Sequence, residues 1–127
     1  MPESPLLRSI SQIHISVSDI DRAVEFYRDT LEMEFLFQVP GRPMAFFQSG
    51  VVRLYIGIPE NEEFRSKSVH YYNVDSIDET FEALKGKGVT FRDEPHAVNP
   101  GGDPEVWLAF FNDPDGNFLA LMEERSL

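Results

Sequence analysis

The sequence predicts an α+β protein built from two βαβββ modules whose paired sheets enclose a cleft. Near the N-terminus an alternating apolar stretch runs directly into an amphipathic helix, and the same order recurs after residue 67. Three short strand-like segments follow each predicted helix. An offset of 57 residues aligns the halves, placing Val17 on Val74 and Ile20 on Ile77. A duplicated unit is the economical interpretation of this pattern.

The first module is expected over residues 8–58. Residues 10–17 alternate, so the strand should present two faces: Ile13, Ile15 and Val17 on one, and Gln12, His14 and Ser16 on the other. Ser18 or Asp19 can cap the helix that follows, which should end near Glu32. Pro40, Gly41 and Gly50 then separate three predicted strands, at 33–38, 43–48 and 51–58.

The second module is expected over residues 68–124, after a polar linker at 59–67 that begins with proline. A strand at 68–74 leads to Ser76 and Glu79, whose spacing forms a capping box, and the helix should stop at Gly86. Further strands are predicted at 89–92, 105–111 and 117–123. With both modules in one compact unit, residues 1–127 should form a single domain.

Composition excludes several classes of function. The net charge is −11, from 22 acidic and 11 basic residues, so the chain should repel nucleic acid and anionic membranes. Cysteine is absent, which removes thiolate nucleophiles and sulfur-ligated metal sites. No apolar run is long enough for a signal peptide or a membrane helix. We therefore expect a cytoplasmic protein that binds neither nucleic acid nor membrane.

Three segments carry a resemblance to a known family: HISVSDIDRAVEFYRDTL at 14–31, VDSID at 74–78 and FFNDPDGNFLALM at 110–122. Together, and in this order, they resemble the vicinal oxygen chelate superfamily, which groups glyoxalases, bleomycin-resistance proteins and extradiol dioxygenases. The resemblance implies a glyoxalase-like half-barrel with a ligand site in the cleft between the modules. It also implies a homodimer. The DPDG segment itself, at 113–116, is typical of a tight turn rather than of catalysis.

The resemblance also implies where a metal would be bound. Four ligand positions on the first and last strands of the modules fall on Gln12, Arg53, Val69 and Ala120. Gln12 is a plausible ligand, but Val69 and Ala120 have no donor atom and Arg53 adds positive charge. We therefore expect no divalent metal and no other cofactor.

His14 shares the cleft-facing side of its strand with Gln12, and the 57-residue offset puts Tyr71 at the equivalent place. One interpretation makes His14 a ligand contact facing Tyr71, acting as a hydrogen-bond donor or as a catalytic base. The alternative is a histidine hydrogen-bonded within the floor of the barrel. His70 should face the helices, and His96 should lie in a surface loop.

Arg53 should point inward from a central strand, where it needs an anionic ligand or a carboxylate partner such as Glu124. A solvent-facing position is the other possibility. The aromatic wall of the cleft is predicted from Trp107, Phe47 and Phe111 with Met122. The complete set of predicted ligand-binding residues is Gln12, His14, Arg53, Tyr71, Asn73, Trp107 and Met122.

The leading functional hypothesis is a protein that binds a small organic molecule without a catalytic metal, like the bleomycin-resistance members, whose acidic surfaces the −11 charge matches. The alternative is an enzyme of the lyase, isomerase or dioxygenase type, either metal-dependent or using His14 and Arg53. A metal site built from His14, His70 and Glu123 is a third hypothesis. It fails if Ile13, Ile15 and Val17 are the buried set, because His14 and Glu123 would then lie on opposite kinds of face and could not converge with His70.

Overall fold

The computed structural model describes residues 6–126, which form two similar units of four strands each. The first unit contains, in chain order, β1 (Gln12–Ser16), α1 (Ile20–Glu25) with a π-helical continuation (Phe26–Thr30), β2 (Glu34–Gln38), β3 (Met44–Ser49) and β4 (Val52–Gly57). A 3₁₀ turn (Glu62–Phe64) lies in the linker. The second unit contains β5 (His70–Asn73), α2 (Ile77–Gly86), β6 (His96–Ala97), β7 (Glu105–Asn112) and β8 (Phe118–Arg125).

The two sheets have the same topology. Their strand orders are β1-β4-β3-β2 and β5-β8-β7-β6, so the first strand of each unit lies beside the last. The β1–β4 and β5–β8 pairs are parallel, and all other pairs are antiparallel. This identity confirms the predicted pair of βαβββ modules, and the two mixed sheets do not close into a barrel within residues 6–126.

Both helices begin where the sequence predicts. The Asp19 carboxylate accepts a hydrogen bond from the Arg22 backbone N–H at 3.1 Å, and the Ser76 hydroxyl accepts one from the Glu79 N–H at 3.2 Å. Neither helix is long and apolar enough to span a membrane, within the described part of the chain.

One hydrophobic core joins the two modules. It consists of the helix-facing side chains of both sheets and the inner faces of α1 and α2; its largest fully buried members are Tyr27, Phe47, Phe111, Ile15, Ile56, Ile77 and Leu119. Ile15 is 1% exposed and Val17 is 5% exposed, and Ile13 packs against the same cluster. The predicted faces of the first strand are therefore confirmed.

The predicted strand at 89–92 is wrong. Only a single bridge from Phe91 to Phe111 and a hydrogen bond from the Arg92 N–H to the Phe110 carbonyl connect this segment to β7. The Asp93 carboxylate accepts the Phe110 N–H at 2.9 Å, so a side chain occupies the place of a strand partner. The edge strand β6 forms farther along instead, and His96, predicted in a loop, lies in it with an exposed side chain.

Hydrogen bonds around the DPDG turn connect the modules; we call this set the module latch. The buried Asp113 carboxylate accepts the Tyr27 hydroxyl at 2.8 Å, and the Asn117 side chain donates to the Ser16 carbonyl at 2.8 Å. Asp113 also accepts the backbone N–H of Asn117, which holds the turn closed. The predicted turn therefore also fixes α1 and β1 of the other module.

Candidate functional site

The side of the first sheet that faces away from the helices carries the polar and aromatic side chains of the candidate site; we call it the open face. Strand register places Gln12 beside Arg53 and His14 beside Tyr55, with Phe46 opposite Tyr55 on the next strand. The core-facing neighbours Ile15, Leu54 and Ile56 are buried, whereas Gln12 and Arg53 are exposed. The open face is therefore available to a ligand.

Four aromatic side chains, one from each strand, cross the open face as a ring row. The ring centroids of Phe37 and Phe46 are 4.9 Å apart, those of Phe46 and Tyr55 are 5.4 Å apart, and those of Tyr55 and His14 are 4.6 Å apart. These spacings follow from the distance between neighbouring strands, about 4.8 Å, because register puts one ring on each strand at the same level. The row therefore places aromatic side chains side by side on all four strands of the sheet, with their planes at 28° to 52° to one another.

His14 is held at the end of the ring row by hydrogen bonds on both ring nitrogens. Its Nδ1 lies 3.1 Å from the Tyr55 carbonyl oxygen, and its Nε2 lies 3.0 Å from the Ser16 hydroxyl. A carbonyl can only accept, so Nδ1–H donates and Nε2 accepts from Ser16. Burial lowers the pKa of His14, which favours this neutral form. The arrangement matches the alternative interpretation, a histidine bonded within the floor of the sheet.

The linker is clasped to β1 beside His14. The Ser16 N–H donates to the Ser66 hydroxyl at 2.9 Å, and the Ser66 N–H donates to the Ser16 hydroxyl at 2.9 Å. This reciprocal pair holds the linker against the end of the ring row. Between them lies a cavity of about 280 Å³, the linker cavity, lined by His14, Tyr55, Glu60 and Phe64.

Tyr55 owes its position to Gly57, two residues later on β4. A Cβ at Gly57 would lie 2.8 Å from the Tyr55 ring and 2.6 Å from the Pro43 carbonyl oxygen. Only glycine leaves room for the ring to lie along the strand. Burial, and then the negative charge of Glu60, raise the pKa of the Tyr55 hydroxyl, so it stays protonated at neutral pH.

Arg53 extends over the ring row. Its Nε–H donates to the Gln12 side-chain oxygen at 2.9 Å, and its guanidinium carbon lies 5.6 Å from the centre of the Phe46 ring. Among residues 6–126 no carboxylate lies within ion-pair distance of Arg53, Glu124 included. The structure therefore does not contain the predicted structural ion pair, and Arg53 is exposed on the open face.

The four positions expected for metal ligands do not fit a divalent cation. Gln12 and Arg53 are neighbours, but the Gln12 oxygen already accepts from the guanidinium. Val69 and Ala120 provide no donor atom, and the described residues contain no group of three His, Asp or Glu side chains suited to a metal.

The third hypothesis, a metal site from His14, His70 and Glu123, is also inconsistent with the geometry. His14 lies on the open face, whereas His70 is on the helix-facing side, as predicted, next to Leu119. Glu123 accepts the Ile77 N–H at the start of α2 and pairs with Arg125. The side chains of His14, His70 and Glu123 therefore do not converge on one metal site.

The second sheet has its own open face, which contains three of the predicted ligand-binding residues: Tyr71, Asn73 and Met122. Register places Tyr71 beside Ala120 and Asn73 beside Met122. The Tyr71 ring meets Phe110 edge-on at 5.9 Å and is 51% exposed. Within residues 6–126, no hydrogen bond or ring contact joins Tyr71 to His14, and their facing each other across the cleft stays a prediction.

The predicted aromatic wall is wrong in its main members. Phe47 and Phe111 are buried in the core. Trp107, Ala109 and Phe111 are spaced two residues apart along β7, so all three lie on its helix-facing side. The Trp107 Nε1–H donates to Glu105 at 2.7 Å, and the Arg125 guanidinium stacks on its ring at 4.1 Å. Strand alternation would have identified Phe46 instead of Phe47, since Phe46 is the residue that pairs with Tyr55.

The comparison with known families agrees with this fold. A sequence model described as Glyoxalase/Bleomycin resistance protein/Dioxygenase superfamily matches residues 9–121, which include both modules and the linker. The chain belongs to this superfamily. The predicted resemblance is therefore confirmed, as is the glyoxalase-like fold.

Several solved structures share the architecture. A member from Sphaerobacter thermophilus is 29% identical with a TM-score of 0.75, over 94% of this chain and 100% of that chain. A lactoylglutathione lyase from Agrobacterium tumefaciens is 21% identical with a TM-score of 0.73, over 91% and 92%. TnmS3, an antibiotic-binding protein from Streptomyces, is 22% identical with a TM-score of 0.75, over 94% and 98%. At these identities the last two show the fold alone.

Proposed function

We propose that this superfamily member binds a small, planar organic molecule on the open face of its first sheet, without a catalytic metal. The observation that carries the proposal is the ring row of Phe37, Phe46, Tyr55 and His14, which ends at the linker cavity. Aromatic surfaces with a few directed polar groups are typical of small-molecule sites. The ring row would stack against the body of the ligand, and the cavity would receive its end.

The state of His14 favours binding over proton transfer. Both ring nitrogens are already hydrogen-bonded within the protein, and burial lowers the pKa of the ring. A general base must reach the substrate proton with a free lone pair, which Ser16 occupies here. In this state His14 positions Tyr55 and the linker clasp. The alternative in which a lyase, isomerase or dioxygenase uses His14 is then left without its proposed catalytic base.

One structural neighbour, TnmS3, is described as an antibiotic-binding protein. Because Ser16 occupies the lone pair that a catalytic His14 would need, we place sequestration of a planar molecule ahead of an activity like that of the lactoylglutathione lyase. The donor set at Gln12, Arg53, Val69 and Ala120 supports binding without a metal, so treatment with a chelator should leave ligand affinity unchanged.

We also expect a homodimer. The open face of the second sheet leaves large apolar side chains exposed, among them Tyr71 and Phe118, which are 51% and 41% exposed. Covering such surfaces is a common reason for association. Sedimentation equilibrium of the full chain tests this expectation directly.

The experiment for the proposed function uses a neutral planar probe, 2-naphthamide, titrated against the full-length protein by calorimetry. We expect one probe per chain. Phe37→Ser and Phe64→Ser should each weaken binding about tenfold, because each removes an aromatic contact from the ligand. Both side chains are about half exposed, so the variants should fold normally.

Val51→Ser is the control, because Val51 is an exposed apolar residue of the same module, in the turn between β3 and β4. Its affinity for 2-naphthamide should equal that of the unchanged protein. Absence of binding, or equal binding by all three variants, would contradict the proposed site.

A further inference from the structure

Arg53 has a guanidinium whose two terminal nitrogens have no partner in the described chain. The Nε–H is used by Gln12 at 2.9 Å, and the Phe46 ring lies 5.6 Å from the guanidinium carbon. These two contacts fix the plane of the group without using its terminal N–H donors. The donor fork therefore stays free on the open face, beside the ring row.

The absence of a carboxylate partner is informative in so acidic a chain. Acidic residues outnumber basic ones by 22 to 11, and several arginines have an acidic partner: Arg22, Arg28, Arg65 and Arg125. Arg53 instead has a neutral amide at Nε and an aromatic ring at its face. Contacts of this kind orient an arginine and leave its charge uncompensated.

We propose that Arg53, oriented by Gln12, binds a carboxylate or a pair of neighbouring oxyanion oxygens on the ligand. A planar guanidinium offers two parallel N–H donors to two such oxygens, which is the strongest geometry for this pairing. The proposal rests on the proposed function, since the same ligand would stack on the ring row. It names the ligand class as a planar aromatic molecule with an oxyanion at one end.

The spacing along β4 is consistent with one ligand reaching both groups. Arg53 and Tyr55 lie two residues apart on the same face, which is about 6.7 Å at the usual rise of a strand. Phe46 lies opposite Tyr55 on the neighbouring strand, and the centre of its ring is 5.6 Å from the Arg53 guanidinium carbon and 5.4 Å from that of the Tyr55 ring. A two-ring aromatic acid has the length to place its carboxylate at Arg53 and its rings over Phe46 and Tyr55.

Gln12 and Arg53 are also two of the four positions where the superfamily resemblance implies metal ligands, and the donor set does not fit a metal. An arginine at such a position supplies a fixed positive charge of its own. The paired oxygens of a ligand would then meet N–H donors of the chain. Arg53 thereby becomes the residue that determines specificity for charged over neutral ligands.

The test compares two probes of nearly the same shape, 2-naphthoate and 2-naphthamide, by calorimetry in 0.15 M salt. The unchanged protein should bind the carboxylate about tenfold more tightly than the amide, the gain expected of a charge-assisted hydrogen-bond pair. The net charge of −11 opposes an anion, so long-range attraction cannot produce this preference.

Arg53→Gln should abolish the preference and leave the affinity for 2-naphthamide within about twofold. Arg53→Lys keeps the charge but loses the planar fork, so it should retain only part of the preference. Arg28→Gln is the matched control: Arg28 also lies near a phenylalanine ring, Phe35 at 5.7 Å, but in the π-helical continuation of α1, away from the open face. The preference should survive in that variant.

The outcomes separate the two proposals. Equal affinity of the unchanged protein for both probes would overturn the role of Arg53 and leave the ring row intact as a binding surface. A preference that survives in Arg53→Gln, or that disappears equally in Arg28→Gln, would also overturn it. If neither probe binds, the proposed function itself fails.

Discussion

Two tyrosines with buried hydroxyl groups, Tyr27 and the partly buried Tyr72, show how a hydroxyl can stabilise the fold or be dispensable. Tyr27 donates to the Asp113 carboxylate at 2.8 Å, within the module latch. The hydroxyl of Tyr72, also buried, has no hydrogen-bond partner among the described residues. Burial, and then the Asp113 charge, raise the pKa of Tyr72 to about 12, so neither hydroxyl ionises near neutral pH. The two residues differ mainly in the bond that one of them makes.

Tyr27→Phe and Tyr72→Phe should therefore have different effects on stability. The first removes a hydrogen bond to a buried carboxylate and should lower the free energy of unfolding by about 1.5–3 kcal/mol. The second loses no hydrogen bond and should change it by less than about 0.5 kcal/mol, or raise it. Urea unfolding of both variants at pH 7 measures the difference. Equal losses would mean that the Tyr27–Asp113 bond contributes little.

At the level of the strand, Gly57 allows the Tyr55 ring to occupy its place in the ring row. Gly57→Ala should lower the free energy of unfolding by about 1–3 kcal/mol, because the new methyl group meets a backbone carbonyl that cannot move away easily. It should also displace the Tyr55 ring and weaken binding of 2-naphthamide.

Gly86→Ala, at the end of α2, provides the comparison, since a Cβ there meets nothing within 4 Å. Alanine is the better helix former, so this variant should be neutral or slightly more stable. Thermal unfolding and probe titration of both variants test the pair. A stable Gly57→Ala with unchanged affinity would show that the Tyr55 ring tolerates displacement.

The strands also show what could be predicted from the sequence. Alternation in 10–17 placed Ile15 and Val17 in the core and His14 on the opposite face, because a period of two leaves only one way to bury the apolar set. The same alternation in β3 and β7 excludes Phe47 and Trp107 from the site, because both residues lie on the helix-facing side of their strands. Hydrophobicity alone cannot tell which residue of β3 faces the core and which the open face, since Phe46 and Phe47 are adjacent and both are phenylalanine.

Other features depend on contacts between distant residues and were not predictable from local pattern. The segment 89–92 has strand-like composition, but the Asp93 side chain takes the Phe110 N–H that a strand partner would use. The clasp between Ser16 and Ser66 joins residues 50 positions apart. This clasp holds the linker in place as one wall of the proposed site, although the polar composition of the linker is typical of a solvated connection.

For the whole molecule, net charge should control how stability depends on salt. Acidic residues exceed basic ones by 11, and most ion pairs among residues 6–126, such as Arg28–Asp29 and Arg65–Glu62, are exposed. Exposed pairs contribute little, whereas repulsion among the excess carboxylates acts over the entire surface. We therefore expect the melting temperature at pH 7 to rise between 0.01 and about 0.5 M NaCl, as the Debye length shortens.

Calorimetry in NaCl, repeated with the same concentrations of KCl, separates screening from specific ion binding. Equal increases in both salts would agree with screening. A melting temperature that falls with salt would instead mean that attractive pairs such as Arg22–Asp115 outweigh the general repulsion.

The module latch makes the two halves of a duplicated protein unequal. In the second half the FFNDPDG turn supplies Asp113 and Asn117, which reach Tyr27 and Ser16 of the first half. The corresponding FFQSG turn at 46–50 is shorter and has neither aspartate nor asparagine. A tandem of two first modules would lack the latch, and a tandem of two second modules would lack Arg53 and its partner Gln12. The second module thus supplies the turn that anchors the fold, and the first supplies the free charge of the proposed site.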